Sequence, residues 1–145
     1  VIVYESVWKH TQMMAEALAE GMGRNGICVK IFKCSMTSPA IIQKELLDAK
    51  AVLVGSGNYN NAMAGSIAAF LEKLITCKVK NKKGLGFGSY GWANLVTKEI
   101  NARLGKAGIT LLNDEVVSQN YTPSEADLDA LMELGKQIAE EIKAM

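Results

Sequence analysis

Short β-branched runs alternate with amphipathic segments along the whole of this 145-residue chain. That alternation is the pattern of successive strand–helix units around a parallel sheet. The runs predict strands at Val1–Glu5, Ile27–Lys33, Ala51–Gly55, Gly84–Gly88 and Ile109–Val117. Between them, apolar residues at helical spacing predict a first helix on Met14, Leu18 and Met22, and a third on Ile67, Phe70, Leu71, Leu74 and Ile75. Ser38 as cap and Pro39 at the first position mark the start of a second helix. A fourth is expected from near Asn94 to Ala107, stopped by Gly108 in the left-handed conformation. Thr122-Pro123-Ser124-Glu125 has the spacing of a capping box and opens a last helix that buries Leu128, Leu131, Gly135, Ile138 and Ile142. Right-handed crossovers assemble five such units into an α/β, three-layer α-β-α sandwich with a five-stranded parallel sheet, whose commonest strand order is 2-1-3-4-5.

The length suits one compact domain covering residues 1–145, with no internal repeat, low-complexity segment or linker. It opens inside an expected strand without an initiator methionine, which suggests a domain excised from a longer chain. A formal charge of +1, with lysines and acids interspersed, gives nucleic-acid binding no electrostatic support. Cys28, Cys34 and Cys77 are odd in number and form no CxxC, and His10 is the single histidine, so neither a disulfide framework nor a zinc site is indicated. Small buried thiols in a reducing cytosol are the simpler account. No apolar run approaches the roughly twenty residues that span a bilayer, and no basic-then-apolar leader pattern is seen in the sequence, so no membrane is expected and the location is expected to be cytoplasmic.

In such a sheet ligands bind beyond the carboxyl ends of the strands where the order reverses, here between strands one and three. The loops after strands one, three and four meet there, and they hold Trp8, Tyr59, Tyr90 and Trp92, including both tryptophans of the chain. In the first, Ser6-Val7-Trp8-Lys9-His10-Thr11 places hydroxyls and free backbone N–H groups at a helix N-terminus, an anion site by geometry and dipole. Ser6 and Thr11 are candidate phosphate donors, with Lys9 and His10 at the rim; a Thr11 that merely caps the helix is the rival reading. The loop lacks both the GK[ST] end of a Walker sequence and GxGxxG. In the second, Ser56, Gly57, Asn58, Asn60 and Asn61 surround Tyr59 with the donors and acceptors that read the edge of a heteroaromatic ring, though Gly-Asn is also ordinary turn chemistry. In the third, Gly86-Phe87-Gly88-Ser89-Tyr90-Gly91-Trp92 combines glycines, which allow close backbone approach, with two flat rings on which a planar ligand could stack.

The motifs Tyr4-x-Ser6-x-Trp8-x-x-Thr11, Gly55-Ser56-x-x-x-Asn60-Asn61-x-Met63 and Phe87-Gly88-Ser89-Tyr90-Gly91-Trp92 stand in an order and spacing that resembles the flavodoxin-like domain of the flavodiiron proteins, also called A-type flavoproteins. The resemblance covers essentially the whole chain. It implies the 2-1-3-4-5 sandwich and non-covalent FMN, with phosphate contacts at Ser6, Trp8 and Thr11 and ring contacts at Asn58, Tyr59, Asn60, Ser89, Tyr90, Gly91 and Trp92. Flavodoxin with FMN is itself a founding example of the switch-point rule, so that placement is inherited from the fold. The chain departs from the family in two places: Lys9 and His10 replace a glycine and a small hydroxyl residue, and Gly57-Asn58 replace Pro-Thr. The first either strains the phosphate loop or strengthens it with positive charge.

The resemblance implies an electron-transfer domain that takes electrons from a reductase or rubredoxin-like donor and passes them to a redox partner. In the full flavodiiron architecture that partner is a diiron domain reducing oxygen or nitric oxide; with one histidine, this chain does not supply such a centre. A flavin-dependent NAD(P)H:quinone reductase is the alternative, disfavoured by the compact segment after strand four. A receiver domain would need a phosphoacceptor aspartate where Ser56-Gly57-Asn58 stand, and a cobalamin domain would need DxHxxG, whereas His10 has Trp8 before it and Met13 after it. A purely structural domain is the remaining reading.

Overall fold

The computed structural model describes residues 1–91, 94–112 and 117–145. Its strands are β1 (Ile2–Glu5), β2 (Ile31–Lys33), β3 (Ala51–Ser56), β4 (Lys83–Tyr90), β5 (Thr110–Leu111) and β6 (Val117–Asn120). Its helices are α1 (His10–Arg24), α2 (Pro39–Asp48), α3 (Gly65–Cys77), α4 (Val96–Lys106) and α5 (Glu125–Lys143), with a single 3₁₀ turn at Cys34–Met36. The sheet runs β2-β1-β3-β4-β5, with β6 also paired to β4, and every pairing is parallel. The expected order 2-1-3-4-5 is the observed one.

Alternation along the strands sorts the core onto two faces. Ile2, Tyr4, Leu53, Leu85 and Phe87 pack with Met14, Leu18 and Met22 of α1 and Leu131, Ile138 and Ile142 of α5. Val3, Val52 and Val54 point the other way, onto Ile42 and Leu46 of α2, Ile67, Leu71 and Leu74 of α3, and Ile100 and Leu104 of α4. On this second face β4 presents the row Gly84, Gly86, Gly88; a Cβ at Gly86 would lie 2.8 Å from the Ile100 side chain, so the row lets α4 sit directly on the strand.

Several strand ends differ from the sequence expectation by one or two residues, and three features differ more. The fifth strand is split: β5 pairs with Lys83 and Gly84 at the start of β4, and β6 with Phe87 to Tyr90 at its end. An eight-residue β4 offers an edge longer than one short strand covers, and residues 113–116 of the expected strand lie outside the described residues. Strand β2 keeps only Ile31–Lys33 of the expected Ile27–Lys33, although Ile27 and Val29 still pack on the core. The capping box of α5 is Ser124 with Asp127, not Thr122 with Glu125: Ser124 Oγ accepts from Asp127 N at 3.1 Å and Asp127 Oδ2 accepts from Ser124 N at 2.8 Å. The Thr122 hydroxyl is instead engaged with His10 Nε2 at 2.9 Å. Ser38 and Pro39 do open α2, though without a side-chain cap bond, and Gly108 has φ +86° after α4.

Candidate functional site

At the carboxyl ends of β1, β3 and β4 lies a cleft of about 160 Å³. The connection from β1 to α1 together with the first two residues of α1 (loop 1) lines it with Ser6, Val7, Trp8, His10 and Thr11; the connection from β3 to α3 (loop 2) adds Gly57, Asn58 and Tyr59; the end of β4 and the segment after it (loop 3) add Ser89, Tyr90 and Gly91. These are the three loops expected to meet at the reversal of strand order. A larger apolar groove, about 650 Å³, opens between α2 and α3, but it shares no residue with this cleft and its lining is mainly aliphatic side chains and lysines.

Loop 1 is short because α1 begins at once. Lys9, the residue before the first turn, has φ +65°, the left-handed region that glycine enters freely, so here a lysine carries about 1–2 kcal/mol of backbone strain. That answers how the chain manages without the family's glycine: the turn keeps its shape at a cost. Lys9 makes no side-chain cap and the first turn of α1 holds no acidic residue, leaving its N–H groups and dipole to an external anion. Thr11 does not cap the helix. Buried to 1% exposure, its hydroxyl lies 3.1 Å from Ser89 Oγ, which ties loop 1 to loop 3.

Loop 2 is braced from inside. Ser56, fully buried, donates to Gly57 O at 2.8 Å and accepts from Ala64 N at 2.9 Å, closing the loop on itself. Asn60 and Asn61, at φ +56° and +63°, turn the chain between Tyr59 and Ala62, which exchange backbone hydrogen bonds of 2.8 and 3.1 Å. Asn58 N donates to Ser89 O at 3.1 Å, joining loop 2 to loop 3. The Tyr59 phenol is half-buried; burial pushes its pKa up, against a hydrogen bond with the Val7 backbone that lowers it. Loops 1 and 2 are thereby linked as well.

Not every expected residue reaches the cleft. Ser56 stands behind it as a brace, while Lys9 and Asn60 are exposed at its edge and do not line it. Trp92 lies outside the described residues. Trp8 lines the mouth and is 78% exposed, available as a face for a ligand more than as part of the core. Sequence reasoning missed Tyr121, which also lines the cleft. Its φ of +57° and the bond from its N–H to Tyr90 O at 2.8 Å hold it beside loop 3. The signal was present, an aromatic residue in a turn before a helix start, but a fifth strand ending at Val117 left Tyr121 away from the sheet's edge.

The donor set fits a ligand with an anionic end and a planar end. Hydroxyls of Ser6, Thr11 and Ser89 and the start of α1 gather at one side; the rings of Trp8, Tyr59, Tyr90 and Tyr121 frame the rest. Among the described residues there is no group of three or more His, Cys, Asp or Glu that could hold a metal ion. No helix of the described residues is long and apolar enough to cross a membrane.

The family model described as Flavodoxin matches residues 2–135. A nitric oxide reductase of Moorella thermoacetica is 39% identical over 142 residues, covering 98% of this chain and 36% of that protein. The solved structure of rubredoxin oxygen:oxidoreductase from Desulfovibrio gigas superposes with a TM-score of 0.92 at 33% identity, over 99% of this chain and 35% of that one. A flavodoxin from the domain Archaea superposes with a TM-score of 0.88 at 29% identity, over 98% of this chain and 96% of that one. The chain thus spans about a third of the length of the curated relatives it matches.

Proposed function

The chain belongs to the flavodoxin family, and from that premise we propose that it is an FMN-binding electron-transfer domain of the kind found in flavodiiron proteins. Proteins of this family bind FMN, and bound FMN supplies one- and two-electron redox chemistry. The observation that carries the reading is the cleft at the switch point, where a hydroxyl cluster at the start of α1 faces three loops rich in aromatic rings.

The protein's part is to bind, orient and expose. Ser6, Thr11 and the first-turn N–H groups of α1 would hold the phosphate, with the Lys9 ammonium and the His10 ring near its rim. His10 is oriented by Thr122, so its ring also ties loop 1 to the start of α5. Tyr59, Tyr90 and Tyr121 flank the planar end, Trp8 stands exposed at the rim of the mouth, and Asn58 with the backbone of Gly57, Ser89 and Gly91 meets the ring edge. Val7 keeps its place through Tyr59. Because the cleft is open at Trp8 and Tyr121, one side of the ligand stays within reach of a partner.

The partner is a redox protein: a reductase or rubredoxin as donor, and as acceptor a diiron domain carried by another part of a longer chain or by another chain. Two of the curated relatives are named nitric oxide reductase and rubredoxin-oxygen oxidoreductase, and we assign any such step to that acceptor. Anaerobic mixing of the FMN-loaded protein with reduced rubredoxin should bleach the flavin at a rate that rises with donor concentration, without NADH-dependent reduction of a quinone. Steady NADH oxidation by quinone would turn the assignment to a quinone reductase. No bleaching by rubredoxin would remove that donor.

A further inference from the structure

Among the described residues, the only charged side chain in the buried core is Glu5, the last residue of β1. Its side chain is 12% exposed, and a carboxylate so placed needs donors for both oxygens. It has them from three segments. Ser6 N donates to Oε1 at 3.3 Å within loop 1, Ser35 N to Oε2 at 2.9 Å from the 3₁₀ turn after β2, and Ser66 Oγ to Oε2 at 3.0 Å from the first turn of α3, directly after loop 2. Lys33 Nζ stands 3.9 Å from Oε1.

The carboxylate therefore joins the start of loop 1 to the end of loop 2, behind the cleft and without lining it. We propose that Glu5 is a positioning residue of the FMN site: by holding the Ser6 peptide against Ser35 and Ser66, it fixes the spacing between the loop that takes the phosphate and the loop that takes the ring. This rests on the FMN reading above. Asparagine-rich loop 2 and strained loop 1 are each flexible in composition, and an ionised anchor with three directed donors restrains both more sharply than apolar packing would. Glutamine has the same shape but replaces one acceptor oxygen with an NH₂ donor, which must then face a serine N–H or hydroxyl.

The groups facing Glu5 are Lys33 from β2, Cys34 from the 3₁₀ turn, Tyr59 from loop 2 and the neighbouring Tyr4. Burial works to raise the carboxyl's pKa, but the hydrogen bonds of Ser35, Ser66 and Ser6 outweigh it and hold it below its ordinary value. A group depressed in the folded state contributes above its unfolded pKa and stops contributing as pH falls through the folded one. The anchor is thus fully present at neutral pH and lost in acid.

The test is FMN affinity, by quenching of flavin fluorescence, for wild type, Glu5→Gln and Ser66→Ala, each first checked as folded by circular dichroism. At pH 7 Glu5→Gln should weaken FMN about tenfold, the scale of one hydrogen bond to a charged group, and Ser66→Ala about threefold. The ratio of the Glu5→Gln and wild-type dissociation constants should shrink toward one as pH falls below the carboxylate range, because the wild-type anchor is then protonated too; titration of the ligand's own phosphate cancels in that ratio. A folded Glu5→Gln protein with wild-type affinity overturns the role, as does a ratio that does not change with pH. If Glu5→Gln does not fold, unchanged affinity in Ser66→Ala overturns it. A wild-type protein that does not quench the flavin contradicts the FMN reading itself, and the role falls with it.

Discussion

Gly21→Ala is expected to lower the stability of the fold by about 2 kcal/mol, the balance of a large steric cost against a small helical gain. Helices α1 and α5 cross backbone to backbone. A Cβ on Gly21 would lie 2.1 Å from the Met132 carbonyl oxygen, and one on Gly135 would lie 2.5 Å from the Leu18 carbonyl oxygen. Neither oxygen belongs to a flexible side chain, so the helices must separate, and with them Leu18, Met22, Leu131, Ile138 and Ile142. Alanine improves helix propensity by up to about 1 kcal/mol, which cannot offset overpacking at the upper end of the usual 1–3 kcal/mol. Gly23, two residues along the same helix, has nothing within 4 Å of a built Cβ. Gly23→Ala should therefore gain roughly 0.5–1 kcal/mol. Urea denaturation of the two variants checks this; equal signs would contradict the backbone contact.

Gly88→Ala is expected to cost both stability and ligand binding. Its Cβ would meet the Ser56 carbonyl oxygen at 2.1 Å and Thr97 Oγ1 at 3.2 Å. Ser56 is the brace of loop 2, and its displacement moves Gly57, Asn58 and the Asn58 N–H bond to Ser89 O that joins loops 2 and 3. Reduced freedom of the unfolded chain returns about 0.4–1 kcal/mol, so the net loss should be about 1–2 kcal/mol in urea. FMN affinity should fall about tenfold or more, since two of the three loops shift together. Stability lost with affinity intact would show that the loops tolerate movement of Ser56.

The layered architecture was legible because it depends on periodicity. Met14, Leu18 and Met22, and Ile67, Leu71 and Leu74, fall on the faces their spacing demands, and the buried strands β1 and β3 read as continuous apolar runs. Edges were less legible. The split of the fifth strand depends on how far β4 extends beyond its neighbour, and the position of the α5 cap on whether His10 claims the Thr122 hydroxyl. Both are decided by residues distant in sequence. Residue types at three loops pointed to the switch point, where those loops line one cleft, while the roles of Ser56 as brace and Tyr121 as wall came only from the folded chain. Glu5 gave no signal, because a strand-ending glutamate reads as solvent-facing until Ser35 and Ser66 are brought onto it.

On the function proposed above, this cleft holds FMN through the start of α1 and the rings of loops 2 and 3. Titrating the purified protein into FMN, with riboflavin in parallel, tests it most directly. Flavin fluorescence should be quenched with saturation at one FMN per chain and a dissociation constant of roughly micromolar or tighter, and riboflavin, which lacks the phosphate, should bind markedly more weakly. Absence of quenching at that protein concentration, or equal affinity for the two flavins, would contradict it.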